Sequence, residues 1–249
     1  MNPYDSLCDE FGIFTHVITK MELPSGRETV LSFFNSLRKT FPTMTDFECR
    51  GGGSEYVLEE DREQGSYRWI GLEPKRFASG YVNPPSVEAA DAQHERVLEI
   101  APFHLDFGAL DCEALDVLFS FDFVYQGNHD ELVAEALGLN TTLESLLQMN
   151  GAKVLGYEPA LMMALDDTCR LQCRLNIETR TNAYQIRTNQ FPPAPITVYF
   201  TIRQYWARQS GRSFVEGYQQ QRKICLDLVE SHILPAVLKP LSQTIENKR

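Results

Sequence analysis

The residues best placed to do chemistry form an alternating segment at 168–180. Its polar positions are Arg170, Gln172, Arg174, Asn176, Glu178 and Arg180, and its apolar positions are Leu171, Cys173, Leu175 and Ile177. Successive side chains of a β-strand point to opposite faces. The alternation therefore predicts a strand with one apolar face and one face rich in arginine.

A second predicted strand, at 196–206, places Tyr199, Arg203 and Tyr205 on one face. Guanidinium groups bind carboxylates and phosphates in a bidentate manner and stack on aromatic rings. We therefore predict a ligand-binding surface built from Arg170, Arg174, Glu178, Arg180, Tyr199, Arg203 and Tyr205. The same alternation is typical of the solvent side of a half-covered antiparallel sheet, so that interpretation stays open.

The histidines do not have the spacing of metal ligands. His94 and His232 fall on the apolar faces of predicted helices, where a core histidine with satisfied hydrogen bonds is expected. His104 and Asp106 would share a face in an extended segment and could orient a base, but they have no third partner nearby in the sequence. The sequence therefore predicts no catalytic residue, no metal ligand and no cofactor.

The glycine run 51–53 and the cysteines are expected to have structural roles only. A phosphate-binding loop would open a helix and carry a lysine, whereas a β-rich segment follows the glycines, so a hairpin loop is expected. The six cysteines are scattered along the chain. Cys169 and Cys173 are four apart on the predicted strand, and we expect both sulfurs to be buried as small hydrophobic groups.

The elements that position these residues fall into two similar series. The first predicts a strand at 12–23, a helix capped by Ser25, strands at 45–50, 55–61, 66–72 and 77–82, and a helix capped by Ser86 that Pro102 limits. The second predicts a strand at 115–125, short helices after Asn128 and Thr141, strands at 154–165, 168–181, 184–188 and 196–206, and a long helix from Ser213 that Pro235 and Pro240 segment.

The two series predict an α+β fold made of duplicated β-α-β(3–4)-α halves, at 1–108 and 109–249, that form one compact unit. Strands joined by short turns imply antiparallel sheets with the helices packed on one face. This element order resembles TATA-box-binding-protein-like folds. The resemblance covers most of the chain but concerns element order only, so it assigns no functional residue. Two tandem ferredoxin-like units are the alternative.

Charge is distributed unevenly along the chain. The net charge is −11, and residues 81–168 carry 2 basic and 16 acidic groups whereas residues 169–249 carry 12 and 5. Binding to nucleic acid is disfavoured, because phosphate contacts need cationic side chains. The beginning of the chain lacks the pattern of a secretory signal and no segment is apolar enough to cross a membrane. A cytoplasmic protein without membrane contact is therefore expected.

Three functions remain open at this point. The favoured one is a non-catalytic binding or assembly protein that holds a peptide, a protein or a small anionic ligand on the arginine-rich face, with a homo-oligomer also compatible. It predicts that reversing the charge of Arg174 or Arg203 abolishes binding and leaves the melting temperature nearly unchanged. The alternatives are a hydrolase-like enzyme with a site between the halves, using groups such as His104, Asp106, Glu178 and Arg174, and a nucleic-acid-binding protein.

Overall fold

Nine strands form one antiparallel sheet in the part of the chain that the computed structural model describes, residues 4–138, 149–151, 153–206 and 211–248. The strands are β1 Glu10–Thr19, β2 Asp46–Arg50, β3 Glu55–Glu59, β4 Tyr67–Glu73, β5 Arg76–Val82, β6 Cys112–Tyr125, β7 Ala160–Ala164, β8 Leu171–Glu178 and β9 Ala194–Tyr205. Helices complete the structure, so the predicted α+β class and the antiparallel sheet are confirmed.

Helices lie between and after these strands along the chain. They are α1 Arg27–Thr40, α2 Val87–His104, α3 His129–Leu137, α4 Ala183–Thr188, α5 Phe214–Leu228 and α6 Lys239–Lys248, with a π-helical segment Val229–Leu238 between the last two and a 3₁₀ turn Arg62–Gln64 before β4. No helix within the described ranges is long and apolar enough to cross a membrane.

The strand order across the sheet is β2-β3-β4-β5-β1-β6-β9-β8-β7. The two strands that begin the two series, β1 and β6, are neighbours in the middle, where His16 pairs with Asp116 and Phe14 with Leu118. Beside β1 lies β5, the last strand of the first series, and β4, β3 and β2 follow outward. Beside β6 lies β9, the last strand of the second series, and β8 and β7 follow outward.

The two longest helices that contact the sheet lie on the same face of it. Ser79 of β5 contacts His94 of α2, and Leu115 of β6 lies beneath Gly217 of α5. The β1 register places both residues on one side, because Ser79 pairs with Thr15 and Leu115 with Val17. The opposite side of the sheet is the one that α2 and α5 leave uncovered.

The core lies between the sheet and these helices, and strand β6 carries its most regular pattern. The alternate residues Leu115, Val117, Phe119, Phe121 and Phe123 are all buried, as the alternation predicts. Burying a side chain of this size contributes roughly 1.5–3 kcal/mol. The pattern that identifies the strand therefore also fixes which of its faces the helices cover.

Some predicted element types and bounds are wrong. Residues 183–188 form a helix, not a strand, because Asn182 caps it and Gln185 completes a capping box with the Asn182 backbone. Strand β7 is only five residues long. Cys169 is exposed, since it lies in the turn before β8 with φ of 54°, whereas Cys173 is buried as expected.

Helix ends differ from the prediction in two places. Helix α1 begins after Gly26 without a side-chain cap, so the predicted Ser25 cap is absent. Helix α2 continues to His104 with Pro102 inside it. Pro235 lies inside the π-helical segment, where a proline has no N–H to donate to an α-helical bond, and Pro240 is the second residue of α6. The helix predicted after Thr141 lies outside the described residues.

Candidate functional site: the uncovered face of the sheet

The predicted arginine-rich surface lies on the uncovered face. The register pairs Arg203 with Gln172, Thr201 with Arg174, and Tyr199 with Asn176, so these side chains share one side of β8 and β9. The same face carries Glu178 and Tyr205, while Arg170 directly precedes β8 and Arg180 follows it. The opposite side of β8 buries Cys173 and Ile177. The chain thus brings the seven predicted residues together at one end of the sheet.

Arg203 is already bound to a carboxylate. Its Nε donates to Asp116 Oδ1 at 2.8 Å and its Nη2 to Asp116 Oδ2 at 2.6 Å. The Asp116 side chain is only 5% exposed, and the Arg203 side chain is 38% exposed. These hydrogen bonds raise the pKa of Arg203, and its guanidinium also lies 6.0 Å from the Tyr205 ring centroid. Arg203 therefore holds the middle strands together and has little capacity left for a ligand.

This pairing revises one expectation from the sequence. A reversal of charge at Arg203 would place a second carboxylate beside the buried Asp116, and like charges in such a position repel strongly. We now expect that change to destabilise the fold, so it cannot report on binding alone.

Arg180 is also engaged, but more weakly. Its Nη1 donates to Glu178 Oε2 at 3.2 Å, between two side chains that are about 40% exposed. Such exposed pairs contribute roughly 0–1 kcal/mol. The backbone N–H of Arg180 donates to His129 Nδ1, and burial lowers the pKa of His129. The Arg180 backbone is thus fixed, while its guanidinium could exchange partners.

Arg170 and Arg174 differ from the other two arginines. Both are exposed, and neither forms an ion pair with any residue of the described ranges. Arg174 lies between Thr201 of β9 and Met162 of β7, which offer no charge. These two guanidinium groups are therefore the cations of the surface that remain available to an anionic partner.

The centre of the uncovered face carries two aromatic rings that the sequence interpretation missed. Phe14 of β1 and Trp69 of β4 flank Gly80 of β5 in register, and their ring centroids are 5.7 Å apart. A Cβ at Gly80 would lie 2.3 Å from Trp69 and 2.5 Å from Phe14. The rings therefore pack closely against the glycine, and they meet only through the register of β4, β5 and β1.

The same face also carries acidic residues. Glu10 pairs in register with Asp122, and burial together with their mutual repulsion raises the pKa of Glu10. Near the other edge, Asp46, Glu48 and Glu59 place carboxylate oxygens within 4.8 Å of one another. Glu59, however, already binds Arg50 at 3.4 Å and Arg62 at 2.6 Å. This cluster therefore has its own counter-charges, and we assign it no ligand.

The structure separates the other residues considered as candidates. His104 is at the end of α2, where its Nδ1 lies 3.3 Å from Ser32 Oγ of α1, whereas Glu178 and Arg174 lie on the uncovered face. His94 is fully buried, with Nδ1 3.0 Å from Ser79 Oγ and Nε2 3.2 Å from the Ile13 carbonyl oxygen. Its burial lowers its pKa to about 3. The glycine run 51–53 forms the turn between β2 and β3.

Comparison with known proteins adds no function. The sequence matches no protein-family profile and no curated protein sequence. Among solved structures, two crystal forms of an alkyldihydroxyacetonephosphate synthase align at 11% identity, with a TM-score of 0.20 in each case. The alignments cover 97% of this chain and 43% or 44% of the synthase chains, so this chain spans less than half the length of those proteins. A similarity this low carries no argument about fold or function.

Proposed function

We propose that this protein is a non-catalytic binding protein that holds an acidic peptide or protein segment on the uncovered face of β8 and β9. The observation that supports the proposal is that Arg170 and Arg174 are exposed and form no ion pair with any described residue, beside the engaged Arg203. Guanidinium groups recognise carboxylates through two parallel hydrogen bonds. Two such groups on a rigid sheet would fix both the position and the direction of an acidic segment.

The separation of the two arginines favours a peptide over a small anion. Arg170 and Arg174 are four residues apart along an extended chain, which is about 13 Å at roughly 3.3 Å per residue. At that backbone separation, one carboxylate or phosphate cannot reach both guanidinium groups unless the two side chains bend toward each other. An extended peptide can, if its two acidic residues are also four positions apart.

Neighbouring side chains offer apolar contact to the same peptide. Met162 of β7 lies directly beside Arg174 in register and is 67% exposed. On β9, Tyr199 precedes Thr201 by two positions and therefore lies on the same face, and burial raises the pKa of the Tyr199 hydroxyl. Aromatic and methionine side chains are enriched where proteins bind partners. The preferred partner would therefore carry an apolar residue between its two acids.

A binding measurement with designed peptides tests this proposal. A labelled decapeptide with two glutamates four positions apart is titrated with the full chain, and binding is followed by fluorescence anisotropy. We expect Arg174→Glu to weaken binding at least tenfold, because one favourable ion pair becomes a repulsion, and to leave the melting temperature unchanged. A peptide with the two glutamates adjacent should bind more weakly than the first.

The matched control is Arg27→Glu, at an exposed arginine in the first turn of α1. A carboxylate there is favoured by the helix dipole, so the protein stays folded with the same change in net charge. Equal loss of binding in Arg27→Glu and Arg174→Glu would reduce the effect to overall charge and contradict the proposal. Equal affinity for both peptides would contradict the spacing argument.

We also infer that the halves 1–108 and 109–249 descend from the duplication of one unit. Support comes from the strand order, in which each half places its last strand beside its first and continues outward. The likeness of element order to TATA-box-binding-protein-like folds is part of the same proposal, but a nucleic-acid function does not follow from it. Carboxylates such as Glu10 and Asp122 on this face oppose a phosphate backbone. We also propose a cytoplasmic location.

A further inference from the structure

The two edges of the sheet differ in charge. Strand β2 forms one edge and carries Asp46, Glu48 and Arg50, whereas strand β7 forms the other edge and has neither a charged residue nor a proline. An edge strand exposes unpaired backbone groups to which another strand can add, and proteins commonly prevent this with charges, proline or a covering element. All residues of β7 are exposed, so this edge has none of these protections.

Strand β7 also exposes apolar side chains on both of its faces. Leu161 is 53% exposed, Met162 67% and Met163 47%. Met162 lies on the uncovered face, because it pairs with Arg174. Leu161 and Met163 therefore lie on the opposite face. Adjacent apolar side chains exposed along an open edge are typical of a surface that another chain covers.

The backbone groups of alternate residues point to the open edge. The Leu165 N–H donates to the Leu171 carbonyl oxygen at 2.7 Å, and the Ile177 N–H donates to the Pro159 carbonyl oxygen at 3.1 Å. The odd-numbered residues thus direct their backbone groups to β8. These directions alternate along a strand of an antiparallel pair, so the even-numbered residues direct theirs away from β8. They are Ala160, Met162 and Ala164.

The side-chain pattern of this edge is complementary to itself. When two antiparallel copies of β7 are centred on Met162, that residue faces Met162 of the second copy, Leu161 faces Met163, and Ala160 faces Ala164. This register pairs the whole strand, and each outward N–H meets an outward C=O. No charge meets a like charge within it. Two copies of β2 would instead place Glu48 against Glu48, and like charges directly opposite destabilise a sheet.

The acidic residues that flank β7 are bound within their own chain. Centring on Met162 would bring Glu158 opposite Asp166 of the second copy. Glu158 Oε1 accepts from the Thr179 N–H at 3.1 Å, and Asp166 Oδ1 accepts from the Arg170 N–H at 2.9 Å. Both donors lie at the ends of β8. These hydrogen bonds hold the two carboxylates on the β8 side and leave the open edge clear.

We propose that two copies of this chain associate through β7, as an antiparallel pair with a two-fold axis at Met162. The same residues face each other from both sides, so the contact closes as a dimer and does not propagate. The two sheets become one continuous sheet. Because five residues from each copy form less than the roughly 800 Å² per partner of a stable complex, we expect a weak dimer with a dissociation constant of about 10 μM.

Sedimentation velocity on the purified full chain tests the dimer. Measurements between about 1 and 200 μM should show a monomer–dimer equilibrium that shifts with concentration. Met162→Lys and Met162→Glu each place two like charges opposite one another at the axis, so each variant alone should dimerise at least tenfold more weakly. An equimolar mixture of the two variants should dimerise again, because lysine then faces glutamate. Only a contact in which residue 162 meets itself has this property.

Two further variants separate the edge from general effects. Met21→Lys is the matched control, because Met21 is also 67% exposed and lies outside the strands, and it should dimerise like the wild type. Ala164→Pro removes one outward N–H and places a ring in the way of the second strand. A proline is tolerated at such an edge position, so the dimer should be lost and the melting temperature of the dilute monomer should stay the same.

The proposal is wrong if the wild type stays monomeric at about 200 μM, or if Met162→Lys dimerises as the wild type does. Equal loss in Met21→Lys and Met162→Lys would reduce the effect to added charge. A mixture of the lysine and glutamate variants that stays monomeric would contradict the two-fold axis at Met162. A monomeric wild type that adds an apolar peptide along β7 would assign the edge to a different partner. The measurement uses the purified chain alone and does not depend on an acidic ligand at Arg170 and Arg174.

Discussion

Arg203 and Arg174 occupy the same uncovered face on neighbouring strands, and their guanidinium groups have opposite environments. Arg203 pairs in register with Asp116 of β6 and binds it through two hydrogen bonds. Arg174 pairs in register with Thr201 on one side and Met162 on the other, and it binds no carboxylate of the described residues. One arginine is part of the sheet's own structure, and the other is free to contact a partner.

The difference follows from the position of each strand in the sheet. Strand β9 lies next to β6, whose face carries Asp116, whereas β8 lies next to the uncharged edge strand β7. Alternation along one strand indicates which face a side chain occupies. Which residue stands opposite on the next strand depends on strand order and register, and that residue decides whether an arginine is paired.

The largest expected effect concerns Arg203, the arginine that belongs to the structure of the sheet itself. Arg203→Met leaves the carboxylate of Asp116 buried without its partner, and loss of one member of a buried pair typically costs about 3–5 kcal/mol. Because the Arg203 side chain is 38% exposed, water can replace part of the interaction, and we expect a loss of about 2–3 kcal/mol. Urea denaturation of the purified protein measures it.

Arg174→Met is the matched comparison. It removes an exposed guanidinium without an internal partner, so the free energy of unfolding should change by no more than about 0.5 kcal/mol. If the two variants lose equal stability, the distinction between a structural and an available arginine is wrong. If the double variant Asp116→Asn/Arg203→Met is much more stable than Arg203→Met alone, the cost is assigned to the unpaired carboxylate.

The second prediction concerns the other half of the uncovered face, which carries the aromatic rings of Trp69 and Phe14. In Gly80→Ala the new methyl group would meet the Trp69 and Phe14 rings, and overpacking of this kind costs roughly 1–3 kcal/mol. In a Trp206→Phe background Trp69 is the only tryptophan, so its fluorescence should shift as the ring is displaced. Gly156→Ala, which has open space around it, should change neither property.

Much of the fold was accessible from alternation and capping. The buried series from Leu115 to Phe123 identified β6 and its covered face, and the cap residues Ser86, Asn128 and Ser213 marked the starts of α2, α3 and α5. The seven residues predicted for the surface lie on or next to β8 and β9, and their role in binding stays a prediction.

What alternation could not provide was contact between distant strands. The partner of Arg203, Asp116, is 87 positions earlier in the chain, and no local pattern joins them. The same is true of Trp69, Gly80 and Phe14, which meet only through the register of β4, β5 and β1. The helix at 183–188 was predicted as a strand although Asn182 and Gln185 form its capping box, because six residues are too few to show a helical periodicity.

The smallest predicted effect tests the covered face, where the polar groups around His94 are closed to solvent, the reverse of the situation at Arg174. The pKa of His94 is lowered to about 3, chiefly by burial, whereas an unfolded histidine has a pKa of about 6.5. The unfolded state therefore takes up a proton first as the pH falls. The stability contributed by neutral His94 is complete above pH 6.5 and declines as the pH falls toward 3.

Between pH 6.5 and 5.5 this linkage amounts to about 1 kcal/mol for one histidine. The pKa values of His16 and His129 are lowered as well, so the total decline of the wild type contains more than one contribution. The difference between wild type and His94→Gln isolates one of them, and we expect that difference to shrink by about 1 kcal/mol over this interval. Parallel pH profiles for the two proteins would mean that His94 takes up a proton in the folded state as readily as in the unfolded chain. The covered face would then be open to solvent at its centre, and burial would no longer distinguish the two sides of the sheet.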